Sequence, residues 1–196
     1  MPPARRLPQI GRESAAIGAL LHLRPSHSSL HAAPRLVRSP YRPRDGFFLR
    51  AESFFNVATN IEELDREPGF SPPIINSYGG ISLHEQSYGE SFLRLMMERF
   101  GGHGLYLLDE PEAALSPTRQ LAVLSRIDQL VKAQSQFIIA THSPILMAYP
   151  GALIYRLDTG GFSVVAYEET EHYAVTKAFL DNPGRMLAEL FRSENQ

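Results

Sequence analysis

Two short apolar runs constrain this chain more than any other feature. Leu105-Tyr106-Leu107-Leu108 stops abruptly at Asp109 and Glu110, and Phe137-Ile138-Ile139-Ala140 stops at Thr141, His142 and Ser143. Four uninterrupted apolar residues bounded by polar ones suit a strand fully buried in a parallel sheet. Between the runs, Ser116 and Pro117 have the form of an N-cap followed by proline at the first helical position. Leu121, Leu124, Ile127 and Leu130 then recur at helical spacing, which predicts a helix to about Val131 with these four facing inward. Strand, helix, strand with polar residues at each strand's carboxyl end is the doubly wound α/β arrangement, where ligands bind beyond those ends.

The flanking segments extend this pattern. Phe54, Phe55, Ala58, Ile61 and Leu64 describe a helix ended by the Pro68, Pro72, Pro73 cluster, and a loop follows. Phe92, Leu93, Leu95, Met96 and Phe100 describe an amphipathic helix that stops at Gly101 and Gly102. After Pro144, which opens a short helix, Leu153 to Leu157 and Phe162 to Val165 form a hairpin around Thr159, Gly160 and Gly161. Helices from Glu171 to Leu180 and Pro183 to Phe191 complete the pattern, and no segment repeats.

A chain of 196 residues holds one medium domain plus an extension. It contains no cysteine, which excludes a disulfide framework, a thiolate zinc site and a thiol nucleophile. It has no run of 18 uncharged apolar residues, so a soluble, cytoplasmic protein is expected. The near-neutral net charge of −2 hides an asymmetry. Residues 1–45 carry eight arginines and seven prolines against two acids, Glu13 and Asp45, whereas residues 46–196 are acidic on balance. Proline removes the amide donor and fixes φ, so residues 1–45 are expected to be a disordered or non-native tail and residues 46–196 the packed unit. A nucleic-acid-binding arm is the sharper alternative, yet no aromatic residue precedes Tyr41 to stack on a base.

Three polar clusters then invite chemistry. Asp109 and Glu110 are held rigidly at a strand end, where one acid can reach a hydrated magnesium ion and the next a water molecule. The plain alternative is an acidic surface turn. His142 ends the neighbouring strand and can exchange a hydrogen bond with a phosphate oxygen or an attacking water. Equally, loop carbonyls can satisfy it. Ser87-Tyr88-Gly89-Glu90-Ser91 opens a helix, where free amides and the positive end of the dipole favour an anion. The same residues also make a capping box, with Ser87 as cap and Glu90 three positions on.

Order and spacing join these clusters. Ser87 precedes Asp109 by 22 residues, Asp109 precedes His142 by 33, and Ala113-Ala114-Leu115-Ser116-Pro117 follows the acids directly. In this the chain resembles the carboxyl-terminal half of an ABC-type ATPase core, in the branch of AAA family ATP-binding proteins related to SMC and RecF-like ATPases. The resemblance runs from about Gly46 to Leu190. It implies an incomplete P-loop NTPase fold, a three-layer sandwich with parallel core strands and a carboxyl-terminal hairpin and helices. It further implies that ATP and Mg2+ are used across a head-to-tail dimer. Ser87, Gly89 and Glu90 match the signature loop that contacts the terminal phosphate of ATP on the opposite protomer. Asp109 matches the Walker B magnesium acid, Glu110 the catalytic glutamate, Leu115 and Ser116 the D-loop, and His142 the switch histidine. Tyr88 stands where the commonest signature has glycine, and Glu90 where it has glutamine.

One motif of the family is not in this sequence. A P-loop needs Gly-Lys-Ser/Thr so that amides and an ammonium surround the phosphates. The only lysines are Lys132 and Lys177, both downstream of Asp109. Losing three to four charge-assisted hydrogen bonds at about 1.5 to 3 kcal/mol each weakens nucleotide binding by several powers of ten. The chain alone is thus expected to bind ATP negligibly and to lack autonomous turnover. Losing the strand that carries the loop also uncovers the apolar flank of its neighbours. Two origins fit: a truncated or frame-shifted gene, or a half-domain that pairs with a complete, P-loop-containing homologue. The competing functional classes are a non-catalytic interaction module and a transporter's nucleotide-binding subunit. DNA processing is unsupported, since residues 46–196 have neither a coiled-coil pattern nor a basic stripe.

Overall fold

The computed structural model describes residues 42–51, 54–66, 72–82, 85 and 87–192, and the side chains of 55–57 and 88 lie outside that description. Residues 1–41, most of the arginine- and proline-rich stretch, also lie outside it.

Three parallel strands organise the fold. They are β1 (Asp45–Arg50), β2 (Gly104–Asp109) and β3 (Gln136–Ala140), in that spatial order. The helices α1 (Phe54–Arg66) and α2 (Tyr88–Glu98), with a 3-10 turn at Ile74–Tyr78, connect β1 to β2. A second 3-10 turn, Pro111–Ala114, and α3 (Pro117–Lys132) connect β2 to β3. After β3 come the one-turn α4 (Pro144–Met147) and the antiparallel hairpin β4 (Ile154–Asp158) and β5 (Gly161–Val165). A 3-10 turn at Tyr167–Glu169, α5 (Glu171–Asp181) and α6 (Pro183–Arg192) follow. The expected α/β architecture, with parallel core strands and a carboxyl-terminal hairpin and helices, is the observed one.

Strand β1 was not among the expected elements. Its apolar core is only Phe47-Phe48-Leu49, too short to separate from a helix start by periodicity alone. Its alternation is clear only in the sheet, where Phe47 and Leu49 face the core and Phe48 faces outward.

The core lies on one face of this sheet. Phe47 and Leu49 from β1 and Tyr106 and Leu108 from β2 pack with Phe54, Phe92, Met96, Val123 and Ile127 from the helices. Tyr106 sits at the centre, stacked on Phe100 with ring centroids 4.2 Å apart and tilted against Phe137 at 5.2 Å. Its ring leaves no room at the start of its own strand, since a Cβ on Gly104 would lie 2.4 Å from it. The Tyr106 hydroxyl accepts from the Gly101 N–H at 2.7 Å and lies 3.0 Å from the Asp45 carboxylate. Burial, above all, pushes its pKa up to about 12. Asp45 in turn holds Arg99 at 2.8 Å, a largely buried ion pair that pins the end of α2 to the start of β1.

The opposite face is bare among the described residues. Phe48, Leu107 and Ile138 stand in one row across the three strands and are 51%, 37% and 54% exposed. The reading of β2 and β3 as fully buried strands is therefore corrected: each is covered on one face only, and the second helical layer of a three-layer sandwich is not among the described residues. A second correction concerns α3. Leu121, expected inward, is 58% exposed, and Gln120 is buried in its place beside Val123, Ile127 and Leu130. The buried face is thus rotated by about one residue, because Gln120 finds two hydrogen-bond partners there.

One-sided burial predicts asymmetric mutational costs. Phe92→Ala, which empties a fully buried site, is expected to cost about 3 to 5 kcal/mol of unfolding free energy. Ile138→Ala is expected to cost about 1 kcal/mol or less. Urea unfolding of both variants checks this, and equal losses would mean that the outer face is covered.

Candidate functional site

The register of the sheet brings three strand ends into one row, Arg50, Asp109 and Ala140. The polar residues that follow each apolar run therefore meet at one edge. Asp109, half exposed, is ion-paired with the Arg50 guanidinium, Nε to Oδ2 at 3.2 Å. Glu110 turns the chain out of the strand in the left-handed region, φ 50° and ψ 49°. That conformation costs a non-glycine residue on the order of 1 kcal/mol or more. Its N–H donates to the Ala140 carbonyl at 2.9 Å, which stitches the two strand ends together, and its carboxylate stays exposed.

His142 reaches this edge from β3. Its Nε2 lies 3.8 Å from Glu110 Oε1, and its Nδ1 lies 3.1 Å from Nε2 of His172. Its backbone is held as well: Glu112 accepts from the His142 N–H and from the Thr141 hydroxyl, the latter at 2.7 Å. Glu110 and His142 meet at this edge, Asp109 ends the same strand in register with Ala140, and sequence reasoning missed Glu112 and His172. Both act through tertiary contacts 29 or 30 residues away, which no local pattern reports.

The other expected residues form a second cluster around Arg119. Glu90 accepts from the Ser87 N–H at 3.1 Å and from its hydroxyl at 2.6 Å, so the expected capping interaction is present at the start of α2. Arg119 pairs with Glu90 at 3.1 Å and reaches the Ser87 hydroxyl at 3.5 Å. Ser116 caps α3, its hydroxyl accepting from the Arg119 N–H at 3.4 Å, as its sequence context implies. Gly89 is buried against the turn between the acids and α3. A Cβ there would lie 2.5 Å from the Ala114 carbonyl oxygen, so close backbone packing requires glycine at this position. Two helix starts thus lie side by side with a cation between them.

Segment 110–116 joins the two clusters, and Gln120 spans it. The Gln120 amide donates to the Leu115 carbonyl at 3.1 Å, and its oxygen accepts from the Ser143 hydroxyl at 2.5 Å. Ser143 in turn caps α4, accepting from the Ile145 and Leu146 N–H groups. Segment 110–116 and the turn after His142 are therefore coupled through one buried side chain.

The donor set fits one of the two implied groups. Asp109 offers the hard oxygen ligand that Mg2+ takes, on condition that Arg50 yields its place. Among the described residues no lysine-bearing phosphate cradle is present: Lys132 is engaged by Asp128 at 2.6 Å and Lys177 by Asp181 at 2.7 Å, both on exposed helix surfaces. Among the described residues no group of three or more His, Asp or Glu is arranged to hold a metal ion, and no helix is long and apolar enough to cross a membrane.

Comparison with known proteins gives three findings. Residues 34–148 match the protein family described as "AAA domain, putative AbiEii toxin, Type IV TA system". A 76-residue stretch is 37% identical to an "Uncharacterized ABC transporter ATP-binding protein" of Haemophilus influenzae, covering 38% of this chain and 29% of that protein. The chain therefore spans less than a third of that relative's length. The SMC head domain from Thermotoga maritima superposes on 60% of this chain and 52% of its own, at 18% identity and a TM-score of 0.37.

Two outcomes follow from the Arg119 cluster. Helix propensity alone would make Gly89→Ala stabilising by about 1 kcal/mol, but the backbone oxygen in its way makes a net loss of about 1 to 3 kcal/mol the expected result of thermal unfolding. The Ser87 hydroxyl and N–H bonds, with the Arg119 charge beside them, hold the Glu90 carboxyl below its ordinary 4.5. A depressed carboxylate contributes stability above its unfolded pKa and loses it as pH falls through the folded value. Protection of the first-turn amides of α2, measured as exchange relative to the intrinsic rate at each pH, should therefore fall as pH drops below about 4.5 in wild type, and Glu90→Gln should remove that fall in protection.

Proposed function

Since the chain belongs to this AAA domain family and carries an AAA/ABC-type ATPase core, we propose that it supplies one half of an ATP-hydrolysing site whose phosphate-gripping loop comes from elsewhere. The convergence of Asp109, Glu110 and His142 at one strand-end edge carries this reading. Asp109 would hold Mg2+ once Arg50 leaves it, and the metal would there neutralise charge on the transferred phosphoryl group. Glu110, exposed and fixed by its bond to Ala140, is placed to accept a hydrogen bond from an attacking water. The Nε2 of His142 lies beside that carboxylate and can donate to the terminal phosphate or to the same water. Ser87, Glu90 and Ser116 lie exposed at a separate pair of helix starts that pack closely through the buried Gly89, which suits a signature loop and D-loop facing the nucleotide of a second subunit.

Incompleteness is part of the proposal. Binding of ATP by the isolated chain is expected to be weak or absent, because neither lysine is free to reach phosphates. The bare row of Phe48, Leu107 and Ile138 is the face on which a P-loop-bearing segment or subunit would lie. Pairing with a complete, P-loop-containing homologue would supply the missing half, whereas a head-to-tail homodimer would set the two clusters of two copies against each other without adding that loop. The non-catalytic alternative shares this face but needs none of the strand-end acids.

Mixing the chain with a relative that carries the Gly-Lys-Ser/Thr loop separates these readings. ATP turnover above that of either component is expected, and Glu110→Gln should abolish the increment while trapping ATP in the mixed complex. Micromolar Mg-ATP binding by the isolated chain would contradict the proposed division of the site. An increment unaffected by Glu110→Gln would remove the catalytic assignment.

A further inference from the structure

The part of the chain after Leu146 is attached lightly to the sheet domain, and the way it is attached is informative. Of the described residues beyond that point only Thr170 is buried. Thr170 caps α5: its hydroxyl donates to the Tyr167 carbonyl at 2.7 Å and accepts from the Tyr173 N–H at 3.3 Å. Tyr167 donates its own hydroxyl to the Pro144 carbonyl at 2.8 Å and packs its ring on Tyr173, centroids 4.7 Å apart. The first turn of α5 is thus fastened to the turn that follows His142. One residue into that helix stands His172, 3.1 Å from the His142 ring.

We propose that His172 is a positioning residue that fixes the ring and the tautomer of His142. A neutral imidazole has one nitrogen that donates and one that accepts. On one side of the His142 ring lies the Glu110 carboxylate, an acceptor only, 3.8 Å from Nε2. A proton on Nε2 faces that carboxylate favourably, whereas a lone pair there would be repelled. With Nε2 protonated, Nδ1 is the bare nitrogen, and it faces His172 Nε2 at hydrogen-bond distance. His172 must then be the donor. The result is a relay of fixed polarity, in which His172 donates to His142 and His142 points its own N–H at the strand-end acids.

Two features make this more than a chance contact. The His142 backbone is already clamped by Glu112, so the ring's rotation is the freedom left to fix, and His172 removes it. The ring is also largely exposed, 71% by side chain, so packing does not orient it. An imidazole that must present N–H in one direction needs such a partner on its other nitrogen, as ligating and catalytic histidines do. The use of that N–H in hydrolysis rests on the function proposed above. The hydrogen bond itself does not, and it is measured without nucleotide.

Histidine-labelled full-length chain and two-bond proton–nitrogen spectra test it, with the seven histidines assigned by single replacements. In wild type, His142 should show a protonated Nε2 and a bare Nδ1 shifted upfield of an unbonded imine nitrogen. His172→Gln keeps a donor in place and should preserve that position. His172→Phe should move the Nδ1 resonance downfield to the unbonded value and mix the tautomers. A His142 with Nδ1 protonated, or with Nδ1 at the unbonded frequency in wild type, would overturn the proposal. So would a resonance that ignores the phenylalanine replacement. The two wild-type outcomes decide it even if a variant fails to fold.

Discussion

The arrangement of this site depends on one constraint, the parallel register that sets Arg50, Asp109 and Ala140 side by side. Once those strand ends share a row, the chain leaves the sheet at one edge each time, and short polar ties join the segments that follow. Glu110 bonds to Ala140 across the row, and Glu112 accepts from Thr141 and His142. The apolar core on one face holds the register, with Tyr106 between Phe100 and Phe137. Chemistry at the edge is thus a consequence of packing beneath it, the usual logic of α/β sheets.

Much of this was legible in the residues. The apolar runs that end in Asp109 and Thr141, the Ser116-Pro117 cap, the Ser87 and Glu90 pair, the hairpin and the last two helices each have a local signal of known physical cause, and each is present. The exceptions share a different cause. A short apolar run has the same appearance whether one or both faces are covered, so β2 and β3 looked fully buried and β1 was not distinguished. Spacing put Leu121 inward, but the two partners of Gln120 rotate α3, and those partners lie in other loops. Glu112, Arg119 and His172 gain their importance from contacts made only after folding.

The two clusters have different characters, and that difference shapes the functional reading. At the strand-end edge Asp109 is paired with Arg50 and His142 with His172, while the Glu110 carboxylate stays exposed. Around Arg119 the helix starts are already satisfied by their own caps, so the capping role of Ser87, Glu90 and Ser116 is met within the chain. Any contact of theirs with a nucleotide would be added across an interface. Gln120 and the 110–116 segment give the two clusters a mechanical connection.

The most direct test of the central claim places a paramagnetic ion where the nucleotide metal would sit. Amide spectra of the labelled chain, mixed with a P-loop-bearing relative and Mn-ATP, report which residues lie near the metal. Selective broadening at Asp109, Glu110 and residues 141–143, reversed by excess Mg-ATP, is the expected result. Broadening confined to the exposed acids at Glu168, Glu169 and Glu171, with the strand-end residues untouched, would contradict it.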